Sequence, residues 1–183
     1  MPSPIAHLGV GYAIYRTNKH NLPEDQLRIW VLPLQLVLVA GLSMLPDMDI
    51  FLAVVLGDMQ TYHNNFSHSF FFAFPVAMII AALFYWMYRS HFWKWFLICL
   101  LSYGFHIIMD FFTAERGVML FWPFTRARFA SPVKLFYGLQ WGLGWFSIWH
   151  LWTIFTETIF SLVIISTVIF FEKRSYRKTK TFT

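Results

Sequence analysis

A helical bundle embedded in a membrane is the fold class this sequence predicts, on three observations. Of 183 residues, 58% are hydrophobic and only 13% charged, against roughly 25% charged residues in soluble domains. Apolar runs at 29–45, 70–88, 95–112 and 145–171 approach or exceed the ~20 residues that cross a bilayer as helix. Tyr85, Trp86 and Tyr88 end one of these runs and Trp93 and Trp95 stand at the start of the next, with Arg89 and Lys94 among them, as residues do at a membrane–water interface. The expectation is an all-α, integral membrane domain over residues 1–183, with about four transmembrane helices and a short N-terminal helix.

The N-terminal segment, Ile5 to Tyr15, is mostly apolar and follows Pro4, which is tolerated in a first helical turn. It is too short to span, so it reads as a half-helix, an interfacial helix or a packed core element. Pro2, Ser3 and Pro4 precede it and the first Arg is Arg16. Nothing there resembles a signal peptide, and the first hydrophobic span is expected to act as its own insertion signal. The loop from Asn18 to Asp25 contains Pro23. The span at 29–45 is interrupted by Pro33, Gln35 and Gly41, which points to neighbouring helices rather than lipid on all sides.

Pro46 closes that span, and Asp47 and Asp49 sit just beyond it. The loop from Pro46 to Ser69 contains no Lys or Arg. The second span, 70–88, starts after His68 and Ser69; the third, 95–112, returns to the face from which the second began. A mixed loop from Thr113 to Gly144 leads to the fourth span, 145–171, and to a tail carrying Lys173, Arg174, Arg177, Lys178 and Lys180. The net charge of +5 is concentrated in this tail and in short loops. It reads as an anchor to anionic lipid on the cytoplasmic side, and nucleic acid is not an expected partner. The single Cys99 offers no internal disulfide.

With alternating spans, the end of the first, the start of the second and the end of the third share one face. Those places carry Asp47 and Asp49, His63 and His68, and His106 and Asp110. His106 and Asp110 are spaced i,i+4 and so lie on one helix face. An Asp at the centre of a membrane helix costs roughly 2.5–3.5 kcal/mol on insertion scales, so an intramembrane acid beside a His is read as functional by default. His7, Asp47, Asp49, His63, His68, His106 and Asp110 are the candidate metal ligands, with Asp49 and His68 as ligand or general base. Zinc suits these donors, and seven of them exceed what one tetrahedral ion uses, which leaves room for a second. Arg126 and Arg128 are candidate anion contacts for substrate. His20 and His91 read as surface residues. His150 and Glu157, seven apart on the fourth span, read either as packing groups or as a further ligand or proton carrier.

Several segments together resemble the YdjM-like family, described as inner-membrane, metal-dependent hydrolases and also labelled LexA-binding. They are His7 before Gly9 and Gly11, the L-P-D-x-D of Leu45 to Asp49, His63 to Ser69, His106-x-x-x-Asp110, and Gly117 to Phe124. Asn64 stands where the family commonly has Arg, and Ser67 where it commonly has Thr. A more distant likeness, in ligand pattern, is to zinc-dependent phospholipase C. The resemblance implies an inner-membrane hydrolase that attacks a phosphoester or ester bond, in a membrane lipid for example, with metal-activated water. A metal transporter or sensor built from the same ligands is the alternative. An intramembrane metalloprotease is disfavoured by the lack of an H-E-x-x-H sequence.

Overall fold

The computed structural model describes residues 2–18, 36–37, 39–58, 62–89, 91–139, 143–144 and 146–180, with side chains to residue 174. Helix α1 spans Pro4–Asn18, α2 Asp49–Val55, α3 Phe70–Tyr88, α4 Phe92–Phe111 and α5 Ile148–Lys180. One-turn 3-10 helices at Pro46–Met48 and Phe66–His68 precede α2 and α3. The described residues contain no named strand, only isolated bridges at Thr113–Phe136 and Val118–Phe129.

Among the described residues three helices are long and apolar enough to cross a membrane, over Phe70–Met87, Phe92–Phe111 and Ile148–Arg174. Residues 29–35 and 38 of the span expected at 29–45 lie outside the described residues, as does His20. Of the rest of that span, residues 36–37 and 39–42 are helical, with a turn following at 43–44. The α3 helix occupies the expected range. Its N-cap is Ser69, whose hydroxyl accepts from the Phe71 N–H at 3.2 Å.

Helix α4 begins three residues earlier than expected, because the chain reverses at Arg89 and His91, both with left-handed backbone (φ 52° and 46°). Trp93 and Lys94 therefore belong to a helical turn rather than to the connection. Helix α5 runs beyond 171, and the basic tail continues it to Lys180.

Helix α4 is the centre of the bundle: 56% of its apolar window is buried, against 22% for α3 and 11% for α5. Phe84 stacks on Trp95 with ring centroids 4.1 Å apart, joining α3 to α4 at the end away from His106. Helix α1 lies along α5 in the same direction, because Ser3 meets Glu157, Ile5 meets Ser161 and Arg16 meets Glu172. It is a packed core element. A Cβ on Gly9 would stand 2.6 Å from Ser161 Cβ, and one on Gly11 would stand 2.6 Å from Ser43 Oγ and 3.1 Å from Ala40 Cα. Both glycines permit helix approaches of the small-residue kind common in membranes.

Candidate metal centre

Each strand of the polar cluster is delivered by a helix end. The 3-10 turn at Pro46–Met48 points Asp47 inward, leaving Met48 exposed, and Asp49 opens α2 on the buried side. The second turn, Phe66–His68, buries Ser67 and His68. Tyr103 of α4 holds this turn by donating its hydroxyl proton to the Ser67 carbonyl at 2.6 Å. His106 and Asp110, one turn apart on α4, face it.

Asp47, His68, His106 and Asp110 form a buried group in which one donor atom from each lies within 4.8 Å of all the others. His68 Nε2 is 3.1 Å from His106 Nε2, 2.9 Å from Asp110 Oδ2 and 3.5 Å from Asp47 Oδ1. His106 Nε2 is 3.5 Å from Asp47 Oδ1 and 3.3 Å from Asp110 Oδ2. Bonds of 2.0–2.1 Å to one tetrahedral ion place neighbouring donors about 3.3 Å apart. Five of the six separations fall around that value.

The tautomers agree with this geometry. His106 Nδ1 donates to the Ser43 carbonyl at 2.7 Å, so its Nε2 presents a lone pair. Ser67 Oγ donates its one proton to Asp49 Oδ2 at 2.6 Å and therefore accepts from His68 Nδ1 at 3.0 Å, which leaves His68 Nε2 a lone pair as well. Two neutral imidazoles would set lone pairs 3.1 Å apart in this buried site, an arrangement that repels unless a cation, either a proton or a metal ion, sits between them. The carboxylates of Asp47 and Asp110 are buried and face only imidazole nitrogens, those of His68 and His106 at 2.9–3.5 Å and of His7 at 3.8 Å, a costly condition unless positive charge compensates it. Burial disfavours a charged His68, yet Asp110, Asp47 and Asp49 raise its pKa well above the usual imidazole value. The carboxylates thus favour positive charge at this point, and the group can hold a divalent ion.

Asp49 and His63 stand behind this group. His63 Nδ1 donates to Asp49 Oδ1 at 2.7 Å, and the rings of His63 and His68 meet edge-on with centroids 6.0 Å apart. Burial would raise the Asp49 pKa, but hydrogen bonds from His63, His68 and Ser67 hold the carboxyl well below its ordinary range. His7 is fully buried, stacks on His106 with centroids 3.8 Å apart, and places Nε2 3.8 Å from Asp110 Oδ1.

Of the two arginines expected near substrate, Arg126 is exposed on the loop. Arg128 reaches the site's edge and donates to the carbonyls of Asn64 and Gly117 at 2.8 and 3.1 Å. Arg116, from the same loop, donates to the His63 carbonyl. The two guanidiniums clasp the turn at Asn64, whose backbone is left-handed at φ 55°. Gly117 (φ 82°) is required beneath them, since a Cβ would lie 2.6 Å from the Phe129 carbonyl oxygen. His91 caps the α3–α4 connection, and His150 donates to the Gly144 carbonyl at 2.8 Å.

A model of the YdjM inner membrane protein family matches residues 1–178. The chain belongs to that family. No curated protein and no solved structure gives a significant match. In this YdjM chain the matched region takes in all three membrane-crossing helices and the whole polar cluster, so the chain is a membrane protein whose buried Asp–His–His–Asp group can bind a metal. Ser43, Ser67 and Tyr103 complete that group from behind. They escaped the sequence reading because a backbone carbonyl and two hydroxyls carry no ligand signature.

Proposed function

We propose that the chain is a membrane-embedded, metal-dependent hydrolase acting on a phosphoester or ester bond of a lipid. The observation that carries this reading is the convergence of two imidazole Nε2 atoms and two carboxylates at one buried point. Asp47, His68, His106 and Asp110 would hold the ion, and two imidazoles with two carboxylates suit zinc. An ion held there supplies Lewis acidity and an acidified water at neutral pH.

The chain's own residues would do the rest. Asp49 orients His68 through Nδ1 and Ser67 and, through its other oxygen, orients His63. His63 is then the proton acceptor on the outer side of the group, in an Asp–His arrangement that fixes its tautomer. Arg116 and Arg128 put positive charge beside it, suited to an anionic headgroup. Between α1, α4 and α5 runs an apolar groove of about 400 Å³, from Phe112 and Phe136 at the site end to Thr17 and Val168 deeper in. Its size falls in the range of ligand pockets, and its lining, apolar but for Thr17, suits an acyl chain. The basic end of α5 lies at the opposite end of the bundle from the polar cluster. Positive-inside placement of the C-terminus then puts the site toward the non-cytoplasmic face of the inner membrane.

The test is metal analysis of the purified full chain, with hydrolysis of a phospholipid, phosphoester and carboxylester panel in mixed micelles. Stoichiometric zinc and turnover that is lost in His106→Ala and Asp47→Ala are expected. Protein that binds no divalent metal, or metal-loaded protein that is silent on the whole panel, sinks the hydrolase reading; in the second case a transporter or sensor takes its place.

A further inference from the structure

We infer that α2 is a re-entrant element inserted into lipid: it leaves the polar cluster, enters the surrounding bilayer leaflet and returns without crossing, so that the cluster sits at the lipid interface rather than in open water. The inference goes beyond the hydrolase reading and does not rest on it.

The excursion is closed at its base. Helix α2 starts at Asp49, and the chain is back at His63, whose Nδ1 donates to Asp49 Oδ1 at 2.7 Å. Both ends therefore share one depth. At its far end α2 stops at Gly57, whose backbone is left-handed (φ 71°), and the N–H groups of Gly57 and Asp58 donate to the carbonyls of Val54 and Ala53 at 3.2 and 3.0 Å. This pair of bonds ends a helix and turns the chain. The seven residues of α2 rise about 10 Å, roughly a third of a hydrocarbon core. They can enter a leaflet but cannot cross.

The side chains name the solvent. Of α2, only Asp49 and Ala53 are buried. Phe51, Leu52, Val54 and Val55 are exposed, Val55 at 81%, with Met48 and Leu56 exposed at the two ends, and no charged residue stands between Asp49 and Asp58. A helix that is apolar all round belongs inside protein or lipid, and here the chain covers one side of it. Leu52 and Val54, two positions apart, face away from each other, with Phe51 and Val55 between them. A protein partner would cover one of these sides and bring a polar rim to meet polar groups that α2 does not have. A fluid leaflet covers all of them.

A second apolar projection flanks the cluster. The turn at Phe121–Phe124 is fixed next to His68, because Ser69 Oγ donates to the Trp122 carbonyl at 2.6 Å and the Phe70 N–H to the Leu120 carbonyl at 3.2 Å. Phe124, 76% exposed, meets Phe71 of the first turn of α3 edge-on with ring centroids 4.6 Å apart. Phe71 is itself exposed, on a helix apolar enough to cross a membrane. The lipid-facing surface of α3 thus continues onto Phe124, and Arg126, exposed two residues further on, suits headgroup phosphates at that boundary.

The experiment is nitroxide labelling of Val55→Cys and Phe124→Cys in the full chain, reconstituted in phosphatidylethanolamine–phosphatidylglycerol vesicles. Electron paramagnetic resonance reads the accessibility of each label to oxygen and to a water-soluble nickel chelate present on both sides of the membrane. Cys99, 1% exposed, is replaced by Ala, or kept should that variant fail to fold, because a buried thiol escapes the label. Ile159→Cys, at an exposed position of α5, is the lipid reference. Both test positions are expected to match its high ratio of oxygen to nickel accessibility. High nickel accessibility at position 55 puts α2 in water and overturns the inference. Exclusion of both reagents there means that protein covers α2, with dipolar broadening identifying a second copy, and overturns it equally. A lipid-like position 55 beside a nickel-accessible position 124 overturns the placement of the cluster at the lipid interface. Metal content and hydrolysis do not enter the readout, so failure here leaves the site's chemistry untouched.

Discussion

His106 donates from Nδ1 to the Ser43 carbonyl at 2.7 Å, a bond between the central helix and the turn that ends at Asp47. It sets which nitrogen of His106 faces the cluster, and Ser43 is in turn positioned by α1, since Gly11 packs directly on it. Gly11→Val is therefore expected to weaken metal binding at least ~10-fold with all four donors intact, the scale of lost outer-sphere support. Gly41→Ala is the control, because a Cβ there meets nothing within 4 Å. Competition with a chromophoric chelator measures both; equal affinities for the two variants would disprove the Ser43 coupling.

Asp49 and Asp47 are two residues apart but are expected to respond differently. Asp49→Asn keeps the four donors and removes the charge that fixes His68 and His63, so affinity is expected to fall about 10–100-fold. Asp47→Asn removes a charged donor itself and is expected to abolish stoichiometric binding. Metal content at a series of free-metal concentrations separates the two. Identical losses would mean that Asp49 belongs to the inner group.

Much of this arrangement was legible in the sequence because two periodicities coincide. The reversal between α3 and α4 brings the start of one, at His68, to the end of the other, at His106, and the i,i+4 spacing fixes Asp110 beside His106. What the sequence did not show was the division of labour. Asp47 and Asp49 look alike in L-P-D-x-D, and only the 3-10 turn at Pro46–Met48 aims one at the centre and the other at His63. Arg126 and Arg128 look alike for the same reason: two residues apart on an irregular loop, they carry no periodic signal of direction. The start of α4 was missed because the reversal depends on left-handed backbone at Arg89 and His91, residues that do not advertise it as glycine would.

Removing the ion should leave carboxylates and lone pairs facing each other without compensation. Ligand binding at 100 times its dissociation constant stabilises a folded chain by about 2.7 kcal/mol. Chelation is accordingly expected to lower the melting temperature of wild type by several degrees and to leave His106→Ala unmoved. A chelator-independent melt in wild type would show that the cluster is satisfied without metal.

Arg128 should matter for substrate rather than for metal. Its NH1 alone bridges the carbonyls of Asn64 and Gly117. Arg128→Ala is expected to raise KM for an anionic substrate about 10-fold with unchanged metal content, Arg128→Lys to recover part of it by keeping the charge, and Arg126→Ala to be near wild type. A matching loss of metal in Arg128→Ala would instead assign the residue to holding the His63–Asn64 turn.

Gly9 tests whether α1 must lie against α5 for the site to form. Any side chain at Gly9 enters the space of Ser161, whose hydroxyl donates to the Ile5 carbonyl at 3.1 Å, so Gly9→Val pushes the two helices apart near the middle of α1. The lower clamp, Arg16 with Glu172 at 2.6 Å, is part-exposed and worth little alone; it cannot hold the pair together. The upper contact, Ser3 with Glu157, lies one turn from His7, and that turn moves with α1. Gly9→Val is therefore expected to displace His7 from His106 and to destabilise the fold by about 1–3 kcal/mol, the usual cost of overpacking. Arg16→Ala should change the melt by less than ~1 kcal/mol. Thermal melts of the two variants, with a disulfide between Cys pairs placed at positions 5 and 161 as a distance reporter, check this. Unimpaired crosslinking in Gly9→Val would show that the interface tolerates a side chain there and that His7 is held by α4 alone.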